Sequence, residues 1–318
     1  MENKLVLRYS SISTFIKNRE MYEKLYVLKE YIEPKASLTI GQACHILLLE
    51  KDKFDSKIIV GGESKHPYQK KFCELMANKE EDEYLSEKEL TDICTESGYA
   101  ASSSKTKWKE LLEDSGIIIL IKNLREERKT GVKKIVLSET EYIKIKEVVN
   151  KLENETMYLI DKDGKFFCTN TSIKELIGKS QTEKDLILEQ EDLIITSKLD
   201  QIFIDKDQVH MIDYKFVNNV DIVDNKDIEN YLYNIQACIY SKQLFAEYKD
   251  KLNLKDWKQI KCTYVIIEKS YPYRVRFMKF SEATMEKTEN EISKVIVEMK
   301  KCHQENNFID INKKFSEF

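Results

Sequence analysis

The chain has 318 residues, 42% hydrophobic and 34% charged, with a formal net charge of −4 at pH 7, which suits a folded globular core and excludes a globally cationic body. Eight Gly and three Pro argue against long flexible linkers, and seven scattered Cys without a CxxC pair argue for reduced thiols, against a disulfide framework or a cysteine metal cluster. No signal peptide opens the chain and no apolar run approaches a membrane span, so the expected compartment is the cytoplasm.

Residues 10–28 read as a helix, with Ser10, Ser11 or Ser13 to cap it and Ile12, Phe15, Ile16, Met21 and Leu25 at helical spacing. A second helix covers 37–50, where Gly41 and His45 share a face and the missing Cβ of Gly41 leaves room for a close approach. Residues 63–185 turn Lys/Glu-rich and mostly helical, and are expected to form a helical lobe inserted in a single domain spanning 1–318. Within them Ser138-Glu139-Thr140-Glu141 is a capping box for a helix carrying Tyr142, Ile145, Val148, Val149 and Leu152. Two β-prone runs follow, 193–204 and 209–217, joined by a hairpin-like polar break at 205–208. Residues 225–248 read as a helix with Ile228, Leu232, Ile235 and Ile239 inward and Tyr233, Gln236 and Tyr240 beside them. Strands at 262–267 and 274–280 and a last helix at 281–303 complete the chain, followed by a polar tail from Asn306.

The chemistry concentrates on the second β-run. Strand side chains alternate, so Asp213 and Lys215 leave one face while Ile212, Tyr214 and Phe216 leave the other. Asp200, near the end of the preceding run, adds a second carboxylate. Two carboxylates are hard ligands for Mg²⁺ or Mn²⁺, and the imidazole of His45 added to them tilts the choice slightly towards Mn²⁺. A nearby ammonium can orient a water or stabilise charge on a phosphate, which points to phosphodiester hydrolysis. On residue types alone an Asp-x-Lys strand is more often a surface ion pair, His45 more often a core histidine, and Gln236 with Tyr240 could be the margin of an amphipathic helix.

The order of these residues resembles the RecB-like and exonuclease VIII (RecE) branch of the PD-(D/E)XK nuclease superfamily. Its motifs read here as Gly41-Gln42-Ala43-Cys44-His45, Lys198-Leu199-Asp200, Asp213-Tyr214-Lys215 and Gln236-Ala237-Cys238-Ile239-Tyr240. Tyr9-Ser10-Ser11-Ile12-Ser13 looks like the family's opening Ser-x-Ser segment, and Glu268-Lys269 with Pro272-Tyr273 like a hairpin of that branch.

The resemblance implies a restriction-endonuclease-like α/β fold, a mixed β-sheet flanked by helices with a large helical insertion. It implies a Mg²⁺- or Mn²⁺-dependent DNA exonuclease of the recombination and repair type, found in phages, acting on double-stranded ends. By position, His45, Asp200, Asp213 and the main-chain carbonyl of Tyr214 would hold the metal. Lys215 would position or activate the water, Gln236 and Tyr240 would support the site or touch the DNA backbone, and Glu189 would assist a second metal. A single-strand annealing partner and a homo-oligomeric ring come with the same resemblance. Relatives that bind an iron–sulfur cluster carry a cysteine after the Ser-x-Ser helix; Lys17-Asn18-Arg19 stands there instead, so no such cluster is expected. For DNA contact the candidates are Trp108 and Lys107, and the basic group containing Arg125 and Arg128, with a core tryptophan and a solvated helix face as the alternative. An endonuclease, or a DNA-binding module without turnover, are the competing functions.

Overall fold

The computed structural model describes residues 4–30, 36–62, 66–80, 85–221 and 232–309. The elements run β1 (Leu5–Arg8), α1 (Tyr9–Lys17), α2 (Arg19–Tyr22), α3 (Ala36–Leu49), α4 (Phe54–Lys57), β2 (Ile58–Val60), α5 (Pro67–Met76), α6 (Glu87–Glu96), α7 (Ala101–Glu113), α8 (Ser115–Thr130), β3 (Ile135–Leu137) and α9 (Glu139–Glu153). Then come β4 (Thr156–Ile160), β5 (Phe166–Ser172), α10 (Ile173–Ile177), β6 (Gln181–Glu189), β7 (Leu193–Asp205), β8 (Gln208–Val217), α11 (Tyr233–Tyr248), β9 (Lys261–Glu268), β10 (Val275–Met278) and α12 (Glu282–Glu305).

The chain divides into two compact units, Met1–Gly41 with Val148–Phe318, and Gln42–Glu147. The second unit therefore starts and ends earlier than the lobe expected at 63–185. Residues 148–185 include β4, β5 and the start of β6, and β6 belongs to the main sheet of the first unit.

The first unit is built on a mixed six-stranded sheet in the order β1-β7-β8-β9-β10, with β6 on the other edge of β7. β8 and β9 are parallel neighbours and both are buried for most of their length. A strand covered on both faces reads as a nearly continuous apolar run, which is why Met211, Ile212 and Tyr214 sit beside Tyr264, Val265, Ile266 and Ile267. Ile12 and Phe15 of α1, Ile235, Ala237, Ile239 and Leu244 of α11, and Met285, Ile292 and Met299 of α12 join these strands in one core. The hairpin expected at 205–208 is tighter than the sequence suggested: Asp205 pairs with Gln208, and Lys206 takes φ 53°, a conformation that Asn or Gly adopt at less cost.

In the second unit β2 and β3 form a short parallel ladder. Phe72, Leu90, Leu111, Ile117 and Ile121 close a helical core. The capping box before α9 forms as expected, with the Ser138 N–H donating to Glu141 Oε2 at 2.9 Å and the Glu141 N–H to Ser138 Oγ at 3.1 Å.

Two helix expectations change. The stretch 10–28 is broken at Asn18, whose side-chain oxygen accepts the Met21 N–H at 2.9 Å and so starts α2 as a separate helix. Of the helix expected at 225–248, residues 225–231, with Ile228, lie outside the described residues, and α11 is described from Tyr233.

The face of β8 away from the candidate acids is held by a buried relay. Tyr214 Oη donates to Gln201 Oε1 at 2.5 Å, and Gln201 Nε2 donates to Ser180 Oγ at 2.8 Å. Tyr214→Phe leaves a buried carbonyl oxygen without its donor, so we expect a loss of about 1–3 kcal/mol in urea unfolding. A loss below a few tenths would show the relay to be energetically idle.

Candidate active site

β6 pairs one edge of β7 from Glu189 opposite Ile194 to Gln181 opposite Ile202. The other edge is shared. β1 takes Leu193 to Thr196, and β8 takes Gln201 to Asp205, which leaves residues 197–200 of β7 bare between them. Asp200 and Asp213 are the register pair that comes next after Gln201 opposite Ile212, and there the ladder stops. Instead of a ladder bond, Asp200 Oδ2 accepts the Tyr214 N–H at 2.8 Å. The N–H and C=O of a strand residue leave the same edge, so the Tyr214 carbonyl is directed into the same fork.

Asp213 is 2% exposed, between the fully buried Ile212 and Tyr214. Lys215 Nζ lies 2.6 Å from Asp213 Oδ2, and 5.2 Å and 5.8 Å from the ring centres of Tyr233 and Tyr264. Burial alone would lower the pKa of the Lys215 amine, but the charges of Asp213 and Asp200 more than offset it, and the group is held above the ordinary lysine range. The aromatic faces add cation–π attraction. Gln236 Nε2 donates to Asp213 Oδ1 at 3.0 Å and to Tyr240 Oη at 3.2 Å. Of the two sequence-predicted helix residues, Gln236 meets the predicted acid directly and Tyr240 meets Gln236. Gln236 Oε1 is buried with no hydrogen-bond partner among the described residues. Burial pushes the Tyr240 phenol up, and the Asp213 charge acts in the same direction.

The acid across from Asp200 is one that sequence reasoning missed. Thr182 pairs with Gln201 and Lys184 with Leu199, which sets Glu183 opposite Asp200. Carboxylate oxygens of Glu183 and Asp200 lie within 4.8 Å of each other. Glu183 has φ 51°, unusual within a strand, and also pairs with Lys198. No local signal marks Glu183, because only the β6–β7 register gives it this place. Glu189, the acid assigned from the resemblance, is a correction. It pairs with Lys4 at 2.7 Å and is registered with Ile194, six residues and roughly 20 Å along β7 from Asp200.

Beside the fork lies a cavity of about 300 Å³ lined by Arg8, Tyr9, Ser10, Asp185, Thr196, Ser197, Lys198 and Tyr240. Thr196 Oγ1 and Ser197 Oγ are buried there without a hydrogen-bond partner among the described residues. Burial raises the Tyr9 phenol, while Lys215 pulls it down and Asp213 pushes it up, so this ring also feels the acid–lysine pair.

Three hard carboxylates, a strand carbonyl and two ammonium groups suit a divalent oxygen-seeking cation: the fork's negative charge exceeds its positive charge until one is bound. His45 is half-buried on α3 in the second unit, and a Cβ added at Gly41 would meet nothing within 4 Å among the described residues.

The sequence-proposed DNA contacts take structural places. Trp108 packs against the helical core, with Lys109 over its ring at 5.1 Å, and Lys107 pairs with Glu110 at 2.5 Å. Arg125 donates to the Met76 and Glu80 carbonyls, at 3.2 and 3.4 Å, and Arg128 to the Glu74 carbonyl at 3.1 Å. Both guanidinium groups thus stabilise the carbonyl end of α5, a favourable place for a cation.

No family model matches the sequence, and no curated protein matches it at a significant level. Among solved structures it is similar to a crystal structure of a "Putative exonuclease" from Eubacterium rectale, at 9% identity and a TM-score of 0.41, over 92% of this chain and 81% of that one. A likeness of that degree does not define an activity.

Burial raises the Asp200 carboxyl from 3.8 to about 6 although Lys215 and the Tyr214 N–H pull the other way. A folded pKa above the unfolded one means that protonated Asp200 favours the fold. Its contribution is fully present below about pH 4 and is lost as the pH rises through 6. In chelator, Asp200→Asn, which cannot ionise, should gain on the wild type between pH 4 and 7 by on the order of 2–3 kcal/mol, read from urea midpoints. A difference independent of pH would mean that Asp200 titrates normally.

Proposed function

We propose that the protein is a metal-dependent deoxyribonuclease that hydrolyses phosphodiester bonds, acting as an exonuclease at the ends of double-stranded DNA. The observation that supports this best is the fork itself, where two acids come from neighbouring strands, Asp200 accepting the Tyr214 N–H and Asp213 meeting the Lys215 ammonium and the Gln236 amide. Asp200, Asp213 and the Tyr214 carbonyl are assigned to hold Mg²⁺ or Mn²⁺, with Glu183 as the further acid. His45 is assigned as the nitrogen ligand on its motif position. When bound, the cation supplies polarisation of a phosphoryl oxygen and a lowered pKa for the attacking water.

Lys215, paired with Asp213, works as a positive charge that orients the water and faces charge developing on the phosphate. Gln236 keeps the Asp213 carboxylate in one rotamer, and Tyr240 anchors Gln236. The adjoining cavity, with Arg8, Lys198 and two orphan hydroxyls, has the donors that DNA backbone phosphates require. The preference for duplex ends, a role in recombination or repair, an annealing partner and a ring assembly rest on the motif order alone.

Digestion of linear duplex DNA in Mn²⁺ with closed circles left intact is the expected result. Nicking of the circles would make the protein an endonuclease, and binding without cleavage would make it a non-catalytic module. Lys215→Ala should lower cleavage at least about 100-fold while DNA binding stays within a few-fold. Activity near wild type would remove Lys215 from the mechanism. Asp213→Asn should weaken Mn²⁺ binding about tenfold or more by calorimetry, because an amide is a poorer ligand than a carboxylate; an unchanged affinity would move the metal elsewhere.

A further inference from the structure

The Lys215 amine is held on more sides than by Asp213 alone. A lysine carries its charge on a flexible four-carbon stem, so an ammonium group with a single partner readily leaves it for water. Lys215 Nζ meets Asp213 Oδ2 at 2.6 Å and also lies 5.2 Å from the centre of the Tyr233 ring and 5.8 Å from that of Tyr264. Both rings are inside the roughly 6 Å over which an aromatic face attracts a cation. They stand nearly parallel, with centres 5.6 Å apart and 20° between their planes, and Phe280 closes on Tyr264 edge-on at 5.6 Å.

The two rings are fixed in different ways. Tyr264 is fully buried on β9 as the register partner of Asp213, whereas Tyr233 is half-buried at the first position of α11. Tyr264 Oη donates to the Tyr233 main-chain carbonyl at 2.8 Å, which ties the start of the helix to the strand. Leu232, one residue earlier, takes φ 56°, a left-handed conformation that a leucine adopts only at a cost. Gln236 follows Tyr233 by one helical turn, so α11 braces both members of the ion pair: Gln236 Nε2 donates to Asp213 Oδ1 at 3.0 Å, and the Tyr233 ring meets the Lys215 ammonium. Packing alone would ask only for an apolar side chain of similar bulk at 233. A ring face adds an attraction for the cation that leucine lacks.

We infer that Tyr233 is a positioning residue for phosphodiester hydrolysis, its ring face holding the Lys215 ammonium beside Asp213 while Gln236 holds the carboxylate. The inference rests on the nuclease reading, and one arm of its test is independent of turnover.

The first arm compares the full chain as wild type, Tyr233→Leu and Tyr233→Phe on linear duplex DNA in Mn²⁺. Tyr233→Leu, without a ring, should lower kcat about tenfold while KM for DNA and the Mn²⁺ affinity by calorimetry stay within about twofold. Tyr233→Phe, which restores the face without the hydroxyl, should bring kcat back to within about threefold of wild type. Equal turnover for wild type and Tyr233→Leu would overturn the inference. So would a Tyr233→Phe variant as slow as Tyr233→Leu, or a loss that falls on KM or on Mn²⁺ affinity instead of kcat. The second arm uses protein labelled with carbon-13 at lysine Cε. The ε-methylene signal that disappears in Lys215→Arg should lie upfield of the other lysines, displaced by the ring currents, in wild type and in Tyr233→Phe, and should move back towards them in Tyr233→Leu. A Lys215 signal among the ordinary lysines of the wild type, which needs no Tyr233 variant to fold, would overturn the inference, as would one that Tyr233→Leu leaves in place. If the wild type hydrolyses no DNA, the nuclease reading falls, and the position of that signal still decides whether the ring holds the amine.

Discussion

The first unit is governed by the point at which β7 and β8 stop pairing. One more step of the antiparallel ladder would set Asp200 directly opposite Asp213, and like charges in that position destabilise a sheet. The strands separate instead. Asp200 turns in to take the Tyr214 N–H that the ladder has released, and Lys215 neutralises Asp213 from the same face. The relay from Tyr214 through Gln201 to Ser180 holds the opposite face, so β8 stays in the sheet while its edge is open. The bare stretch 197–200 and the cavity beside it follow from the same interruption.

Such an arrangement is a poor way to stabilise a fold. Removing a carboxylate and an ammonium from water costs several kcal/mol per ion before their attraction is counted, and well-packed apolar residues often serve as well or better. Two other buried carboxylates among the described residues have partners in fuller contact with water. Glu50 is buried, but its partners Lys53 and Lys57 are 52% and 36% exposed, and Glu268 meets an Arg274 that is 44% exposed. At the fork Asp213 is 3% and Lys215 20% exposed, with the apolar Met211, Ile212, Tyr214 and Phe216 as their strand neighbours. A charge pair kept where packing alone would favour leucine or valine is best explained by what it does to a bound group.

Much of this was legible in the sequence because it depends on short-range periodicity. Alternation along a strand gives Asp213 and Lys215 a common face, and one helical turn gives Gln236 and Tyr240 a common edge; both relations hold in the structure. What escaped depends on partners far apart in the chain. Glu183 reaches Asp200 through the β6–β7 register, whereas Glu189, at a matching sequence position, is carried roughly 20 Å away by the same register. Periodicity could not see Asn18 cap a new helix, since Asn is nearly neutral inside a helix and strongly favoured just before one. Nor could it tell that Arg125 and Arg128 would meet the carbonyl end of α5, because a cluster of cations looks the same whether it faces water, a phosphate or a helix terminus.

That last ambiguity bears on where an anionic substrate can be held. With a net charge of −4 the chain has no general attraction for a polyanion, so binding depends on cations that lie close together without being neutralised. Arg125 and Arg128 already satisfy main-chain carbonyls, and Lys107 satisfies Glu110. Around the fork the balance differs. Arg8 lines one cavity with buried hydroxyls that have no partner among the described residues, next to an ammonium held charged by two carboxylates, and Lys198, which lines it too, pairs with Glu183. A phosphate entering there would meet the two hydroxyls and Arg8, and a cation bound to the carboxylates would turn the locally negative fork into an attractive one. The metal and the substrate would therefore each improve the site for the other, which is the coupling expected of a cation-dependent phosphodiesterase centre.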